Sequence, residues 1–173
     1  MISKFNIKNY KKLLQHSLKV GYKFAKFNKL SNINQNTGII LLRHDVDADL
    51  FAAAKMARLE SNLGITSTYF LMWRSPLYNL MGRESQKFVE EIINLGHSLG
   101  LHYDQGFDEL GKKSKKFSVK CISQQSRWIE EIYNCKIQAV SFHQPSKKLI
   151  KSRLDCGQKI NTYDFKKLAN FKY

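Results

Sequence analysis

Short apolar runs alternate with longer amphipathic stretches along most of the chain. Short runs rich in β-branched and aromatic residues favour strands, whereas apolar residues that recur every three or four positions favour helices. The predicted strands are 39–43, 65–71, 97–102 and 137–142, with a fifth beginning at 159–163. The predicted helices are 6–20, 50–63, 83–95 and 115–134, with a short one at 164–170. This alternation indicates a mostly parallel sheet covered by helices.

The first two predicted helices each carry an apolar stripe, and we expect the stripe of the second to face the protein interior. In helix 6–20 the stripe consists of Ile7, Tyr10, Leu13, Leu14 and Leu18. In helix 50–63 it consists of Leu50, Ala53, Ala54, Ala57 and Leu59. Between these helices, residues 22–27 are predicted as a short strand or an extended lead-in, and residues 31–38 as a loop. Gly64 and Gly96 both follow Asn-Leu, which indicates two equivalent helix-to-strand joints.

The predicted strand 39–43 runs straight into a dense group of charges, Arg43-His44-Asp45-Val46-Asp47. We expect this strand to be buried on both faces and the charges to lie at its C-terminal end, which carries the ligand in parallel α/β folds. Asp45 and Asp47 are two residues apart, so on an extended backbone their side chains point the same way. The alternative is a polar turn in which Asp47 or Asp49 caps the next helix.

Three successive strand ends carry histidine, and in a parallel sheet these ends share one rim. The residues expected around that rim are His44, Asp45, Asp47, His102, Asp104 and His143. His97 begins its strand, so we expect it at the opposite rim or beneath the site. A mixed carboxylate and imidazole set is what Zn²⁺ and similar ions bind. Such an ion polarises a carbonyl and lowers the pKa of bound water, and a free carboxylate can take the proton.

The composition of the chain bears on the number of domains, the class of partner and the cellular location. The 173 residues suffice for one domain, and the net charge of +15 comes mainly from scattered lysines. Because these lysines do not alternate with aromatic residues in one segment, nucleic acid is not the expected partner. Three cysteines without a Cys-x-x-Cys motif favour a reducing compartment. Neither a membrane span nor a secretion signal is recognisable, so a cytoplasmic location is predicted.

At these residues the chain resembles the polysaccharide deacetylase-like superfamily, also called the NodB-homology superfamily or carbohydrate esterase family 4. More narrowly, it resembles the members found in surface-polysaccharide biosynthesis loci. The matching stretches are 42–47, 67–71, 96–104 and 141–145. Tyr10 with Leu13 and Leu14, followed by residues 21–24, resembles the lead-in of such proteins. The resemblance spans nearly the whole chain.

The resemblance implies a role for each matched residue. Asp45 matches the catalytic base, and Asp47 and His102 match metal ligands. The family's second histidine ligand would fall at Gly106, so we expect His143 or Asp104 to complete the metal shell. Arg43 or His44 is expected to orient Asp45. The implied cofactor is a divalent metal, with Zn²⁺ as the expected ion, and the implied substrate is an acetylated sugar or glycan intermediate.

The resemblance also implies a fold and a departure from it. The family's distorted (β/α) barrel usually has seven strands, whereas about five parallel strands are predicted here. We therefore expect a single deacetylase-like domain over 1–173, with helix 6–20 as its lead-in, that is truncated at its C-terminus. The late motif with the family's general-acid histidine has no counterpart up to residue 173. An incomplete barrel leaves a strand edge unpaired, which an oligomer could cover.

Three functions are compatible with these observations. The first is a metal-dependent hydrolase that deacetylates an N- or O-acetylated sugar. The second is a catalytically inactive relative that binds a saccharide or a partner protein. The third is a generic α/β domain that binds through its basic surface, which would show a strong salt dependence with nucleic acid.

Overall fold

The computed structural model of the protein describes residues 6–27, 38–108, 114–164 and 168. Six helices lie in these ranges: α1 (Ile7–Lys19), α2 (Leu50–Ser61), α3 (Arg83–Asn94), α4 (Gln105–Asp108), α5 (Lys115–Tyr133) and α6 (Lys147–Lys151). Seven strands accompany them there: β1 (Lys23–Phe24), β2 (Ile39–Ile40), β3 (Arg43–Val46), β4 (Thr68–Leu71), β5 (Ser98–Tyr103), β6 (Ala139–Phe142) and β7 (Ile160–Asn161).

The main sheet has five parallel strands in the order β3-β4-β5-β6-β7. Neighbours in the sheet are also neighbours along the chain, which is the common arrangement for successive strand–helix–strand units. This arrangement confirms the predicted α/β class with about five parallel strands. Within the described residues β3 and β7 are the two edges and do not pair with each other, so the sheet is an incomplete barrel.

The apolar run 39–42 does not form the first strand of this sheet, so that prediction was wrong in detail. Ile39–Ile40 pairs with Lys23–Phe24 in a separate two-stranded sheet. Leu41 and Leu42 are half-buried and pack against different hydrophobic clusters. The first strand of the main sheet begins only at Arg43, so the charged residues form the strand itself, and Asp47 follows its last residue. Charged side chains can lie on β3 beside the buried Val46 because β3 is an edge strand, close to solvent at its carboxyl end.

The two faces of the main sheet pack against different hydrophobic clusters. Alternate residues such as Tyr69, Leu99 and Val140 contribute to the large core shared with helices α2, α3 and α5. The opposite face carries a smaller cluster centred on Phe27, Phe70 and Ala139. Gly100 makes this packing possible, because a Cβ atom there would lie 2.4 Å from the ring of Phe70.

Helix α1 uses only part of its predicted apolar stripe. Tyr10 and Leu14 are buried against α2 and the following turn, whereas Ile7, Leu13 and Leu18 are 52%, 60% and 38% exposed. Only two of the five stripe residues are therefore buried. The cause is that α1 lies at the margin of the fold and contacts it along a narrow line.

The remaining helix predictions hold, with small changes at their ends. Gly64 and Gly96 have φ values of +70° and +88°, which confirms the two equivalent joints. Two short helices were not predicted, α4 between β5 and α5 and α6 after β6. The predicted helix 164–170 lies largely outside the described residues. None of the helices in the described ranges has both the length and the apolar character needed to cross a membrane.

Candidate metal centre

Three of the predicted site residues meet at the carboxyl ends of β3, β5 and β6. Oδ1 of Asp47 lies 3.0 Å from Nε2 of His102 and 3.2 Å from Nδ1 of His143. The two imidazole rings are nearly perpendicular, with their centroids 5.3 Å apart. The donor atoms of all three residues lie within 4.8 Å of one another. We call Asp47, His102 and His143 the triad.

The convergence of the triad follows from strand alternation and parallel register. Asp45 and Asp47 follow Arg43 at two-residue steps, so all three point to the side of the sheet away from α2. In the neighbouring pair, His102 lies opposite Ser141, and His143 continues the same face two residues later. Because all the strands run the same way, their carboxyl ends bring one carboxylate and two imidazoles to a single rim.

The triad fits a divalent metal by its chemistry. One carboxylate and two imidazoles is a donor set typical of catalytic zinc, which keeps a further position open. With Nε2 of His102 as the ligand atom, its Nδ1–H donates to Oγ of Ser141 at 2.6 Å, which is the kind of support that orients a metal-binding imidazole. Burial lowers the pKa of His102, although the charges of Asp45 and Asp47 oppose this effect. The lowered pKa favours the neutral imidazole that metal binding requires.

Asp45 lies beside the triad and is held by Arg43. Nη2 of Arg43 donates to Oδ2 of Asp45 at 2.7 Å. The same guanidinium donates to Oγ1 of Thr162 at 2.8 Å and to the hydroxyl of Tyr163 at 3.3 Å. Its Cζ also lies 5.6 Å from the ring centre of Phe70. Arg43 thus connects β3 to the segment after β7, across the interior of the incomplete barrel, and fixes the Asp45 carboxylate.

Asp104 and Gly106 lie in an open groove beside the triad rather than in it. Asp104 is absent from the set of described donors that converge on Asp47, whereas His143 belongs to that set. Of the two residues expected to complete the metal shell, the structure brings His143, and not Asp104, next to Asp47 and His102. The groove has a volume of about 680 Å³ and includes Asp104, Gly106 and His143 in its lining.

His44 lies on the opposite side of β3 from Asp45. Its Nε2 is 2.7 Å from Oε1 of Glu60, a residue of α2 with no exposed surface. Hydroxyl groups of three residues also donate to the Glu60 carboxylate, Tyr10 at 2.5 Å, Ser67 at 2.6 Å and Tyr69 at 3.1 Å. Of the two residues expected to orient Asp45, the structure brings only Arg43 to it.

His97 completes this second group at the amino end of β5, as its position in the sequence predicted. Its Nδ1 accepts the backbone N–H of Ser67 at 3.1 Å, and its Nε2 donates to the carbonyl of Ala57 at 3.0 Å. Nδ1 also lies 3.6 Å from Oε2 of Glu60. We call these residues the buried Glu60 cluster; its members are Tyr10, His44, Glu60, Ser67, Tyr69 and His97.

The pKa of Glu60 is lowered in this cluster. Burial acts to raise it, but the hydrogen bond and the charge of His44 outweigh burial, together with the hydroxyls of Ser67 and Tyr10. Sequence reasoning missed Glu60, Ser141, Thr162 and Tyr163. Glu60 had a signal in the sequence, because it continues the inward stripe of α2 three residues after Ala57.

The alternative interpretation of the Asp-rich segment is correct for one residue. Asp49 caps α2, and its Oδ1 accepts the backbone N–H groups of Phe51 and Ala52 at 2.8 and 3.1 Å. Asp47 does not share this role and instead faces the two histidines. The capping function and the site function are therefore divided between neighbouring aspartates.

Comparisons with known proteins agree on the fold. No protein-family model and no curated protein sequence matches this chain. Among solved structures, the chain is similar to IcaB from Ammonifex degensii, with 13% identity, a TM-score of 0.63 and coverage of 88% of this chain and 72% of that one. It is also similar to the Streptococcus pyogenes deacetylase PplD in complex with acetate, with 16% identity, a TM-score of 0.61 and the same coverages.

A third similar structure is BA3943, a CE4 family pseudoenzyme from Bacillus anthracis, with 17% identity and a TM-score of 0.50 over 74% of this chain and 43% of that one. Together these similarities show that the chain has the polysaccharide deacetylase-like fold, as the motifs predicted. The predicted C-terminal truncation stays a prediction, since the chain spans 72% of the first two structures.

Proposed function

We propose that this protein is a metal-dependent deacetylase that removes the acetyl group from an N- or O-acetylated sugar in surface-polysaccharide biosynthesis. The observation that carries the proposal is the triad, in which a carboxylate and two imidazoles converge next to a second, arginine-bound carboxylate. The similarity to the deacetylase PplD supports the same chemistry. Zn²⁺ is the proposed metal, and a cytoplasmic location stays a prediction.

Asp47, His102 and His143 would hold the metal ion. When bound, such an ion polarises the acetyl carbonyl and makes a water molecule more acidic. Asp45 would take the proton of the attacking water as general base. Arg43 orients the Asp45 carboxylate through their 2.7 Å hydrogen bond. Ser141 orients His102 through the hydrogen bond at Nδ1 of the imidazole, so that Nε2 of His102 faces Asp47.

The direct test is acetate release from an N-acetylglucosamine oligomer and from an O-acetylated glycan, with the protein supplied with Zn²⁺. The wild type should release acetate from one of these substrates. His102→Ala should abolish release together with metal binding, and His97→Gln should keep both, because His97 lies at the other end of β5. Equal activity in His102→Ala and the wild type would contradict the proposal.

A second candidate is a saccharide-binding protein without catalytic activity. Gly106 favours it, because the resemblance implies a histidine ligand at that position, and a CE4 pseudoenzyme is among the similar structures. This candidate predicts glycan binding without acetate release. It also predicts that Gly106→His strengthens metal binding, although a Cβ atom there lies 3.3 Å from Oδ1 of Asp104, which would have to move slightly.

A further inference from the structure

The groove beside the triad has a basic wall. It is lined by residues from the start of α5 and from α6, and it reaches the triad at His143. Lys115 and Lys148 are the two lysines in this lining, and Asp104 is its only carboxylate among the described residues. The groove therefore joins the candidate metal centre to a surface of distinct charge.

The two segments that form this wall carry basic residues and no acidic ones. Residues 114–120 and 146–153 contain seven lysines and arginines and no aspartate or glutamate. Nζ of Lys115 lies 3.4 Å from the carbonyl oxygen of Ser152, which holds it at the groove. Within the described ranges neither Lys115 nor Lys148 takes part in an ion pair. Both side chains are exposed, so an anion from solution can reach them.

A hydroxyl group adds a hydrogen-bond donor to the same wall. Oγ of Ser146 accepts the backbone N–H of Leu149 at 3.1 Å, which leaves its own O–H to donate. Ammonium and hydroxyl donors on one side of a groove are suited to the oxygens of a phosphate or a carboxylate. An uncharged sugar offers no negative charge with which these ammonium groups could pair.

We propose that this groove binds an anionic group, a phosphate or a carboxylate, that is carried by the acetylated glycan. Lys115 and Lys148 supply the charge, and Ser146 supplies a hydroxyl donor. The inference rests on the proposed function for the identity of the glycan, and it makes the protein selective for acidic substrates over neutral ones. The high net charge of the chain would also speed the encounter with such substrates.

The test compares two double variants with the same loss of charge. Lys115→Ala with Lys148→Ala removes the lysines that line the groove. Lys116→Ala with Lys147→Ala removes their exposed neighbours in the same two helices, which do not line it. Binding is measured by calorimetry at low salt for three probes: UDP-N-acetylglucosamine for the phosphate, N-acetylmuramic acid for the carboxylate and a neutral N-acetylglucosamine oligomer. Acetate release is measured separately for each probe.

The wild type should bind at least one anionic probe about tenfold more tightly than the neutral oligomer. The groove variant should lose this preference and the control variant should keep it, and the preferred probe distinguishes phosphate from carboxylate. Equal affinity for all three probes, or an equal loss in both double variants, would overturn the inference. Charge-selective binding without acetate release from any probe would instead refute the proposed function and leave the anion site supported.

Discussion

Two groups of carboxylate and histidine side chains lie on opposite sides of β3, and they differ in how fully their polar atoms are satisfied. His44 belongs to the buried Glu60 cluster, and its neighbour Asp45 belongs to the candidate metal centre. Glu60 has no exposed surface and four side-chain hydrogen-bond partners, whereas the Asp47 side chain is 53% exposed and faces two imidazoles. Composition alone does not distinguish a structural cluster from a reactive one.

The difference follows from where each group lies. The buried Glu60 cluster is enclosed between α1, α2 and the amino-terminal half of the sheet, so every donor there must find an acceptor. The triad lies at the carboxyl rim, next to an open groove. Its carboxylate and imidazole atoms can therefore bind an ion, and a substrate can reach them through the groove. We therefore expect the first group to determine stability and the second to determine activity.

The largest effect should come from Asp45→Asn. Loss of the general base should lower kcat about 10²- to 10⁴-fold, while metal content and thermal midpoint stay the same. Acetate release under saturating substrate measures this directly. Asp49→Asn is the matched control, because asparagine also caps helices and Asp49 serves α2. Similar activities for the two variants would remove Asp45 from the proposed chemistry.

Glu60→Ala tests the structural role of the other group. The substitution leaves His44 and the hydroxyls of Tyr10, Ser67 and Tyr69 without their shared acceptor, and it should lower the free energy of unfolding by about 3–5 kcal/mol. Urea denaturation measures the change. Glu131→Ala removes an exposed carboxylate on α5 and should have little effect. If Glu60→Ala does not fold, Tyr10→Phe should still cost about 1–2 kcal/mol.

The pH dependence of stability should report on His97. Burial lowers the pKa of His97 below its ordinary value of 6.5, despite the nearby charge of Glu60, with His44 and Lys26 adding to the lowering. The native state therefore binds this proton more weakly than the unfolded chain does, so the contribution is complete above pH 6.5 and falls as the pH drops below it. Glu60, whose pKa is also lowered, adds a further loss below about its ordinary 4.5.

Urea denaturation of the metal-free protein as a function of pH would show this loss. His97→Gln should flatten the part of the profile between pH 6.5 and 4.5. An unchanged slope in that variant would assign the dependence to other groups, such as His102, whose pKa is lowered as well.

The smallest effect is expected for Thr162→Val. It removes one hydrogen bond to Arg43 and keeps the size of the side chain, so Asp45 should be held less firmly and kcat should fall by a few fold, equivalent to about 1 kcal/mol. Metal affinity should not change. A large loss of metal in this variant would show that Arg43 supports the triad instead of Asp45.

The sequence predicted the rim better than it predicted the first strand. Three histidine-bearing strand ends in a parallel sheet were enough to place Asp47, His102 and His143 together, because parallel strands share one carboxyl edge. The position of β3 could not be read from hydrophobicity, since Ile39–Ile40 pairs with a lead-in strand and Arg43–Val46 forms the edge of the main sheet. An edge strand does not need the apolar side chains of a central one.

Contacts between residues that are distant along the chain also could not be predicted from the sequence. His44 was expected at the site because it is adjacent to Asp45, but alternation along β3 turns it toward Glu60. The contact of Arg43 with Thr162 joins residues 119 positions apart, and no local pattern marks it. Glu60 could have been found from its place on the inward face of α2.

Elemental analysis of metal in the purified protein tests the central difference between the two groups most directly. The wild type and His97→Gln should each hold about one Zn²⁺ per chain after incubation with excess ion, and Asp47→Ala should hold none. That result would place the metal at the exposed triad and not at the buried Glu60 cluster. Absence of metal from the wild type, or full retention by Asp47→Ala, would contradict the account.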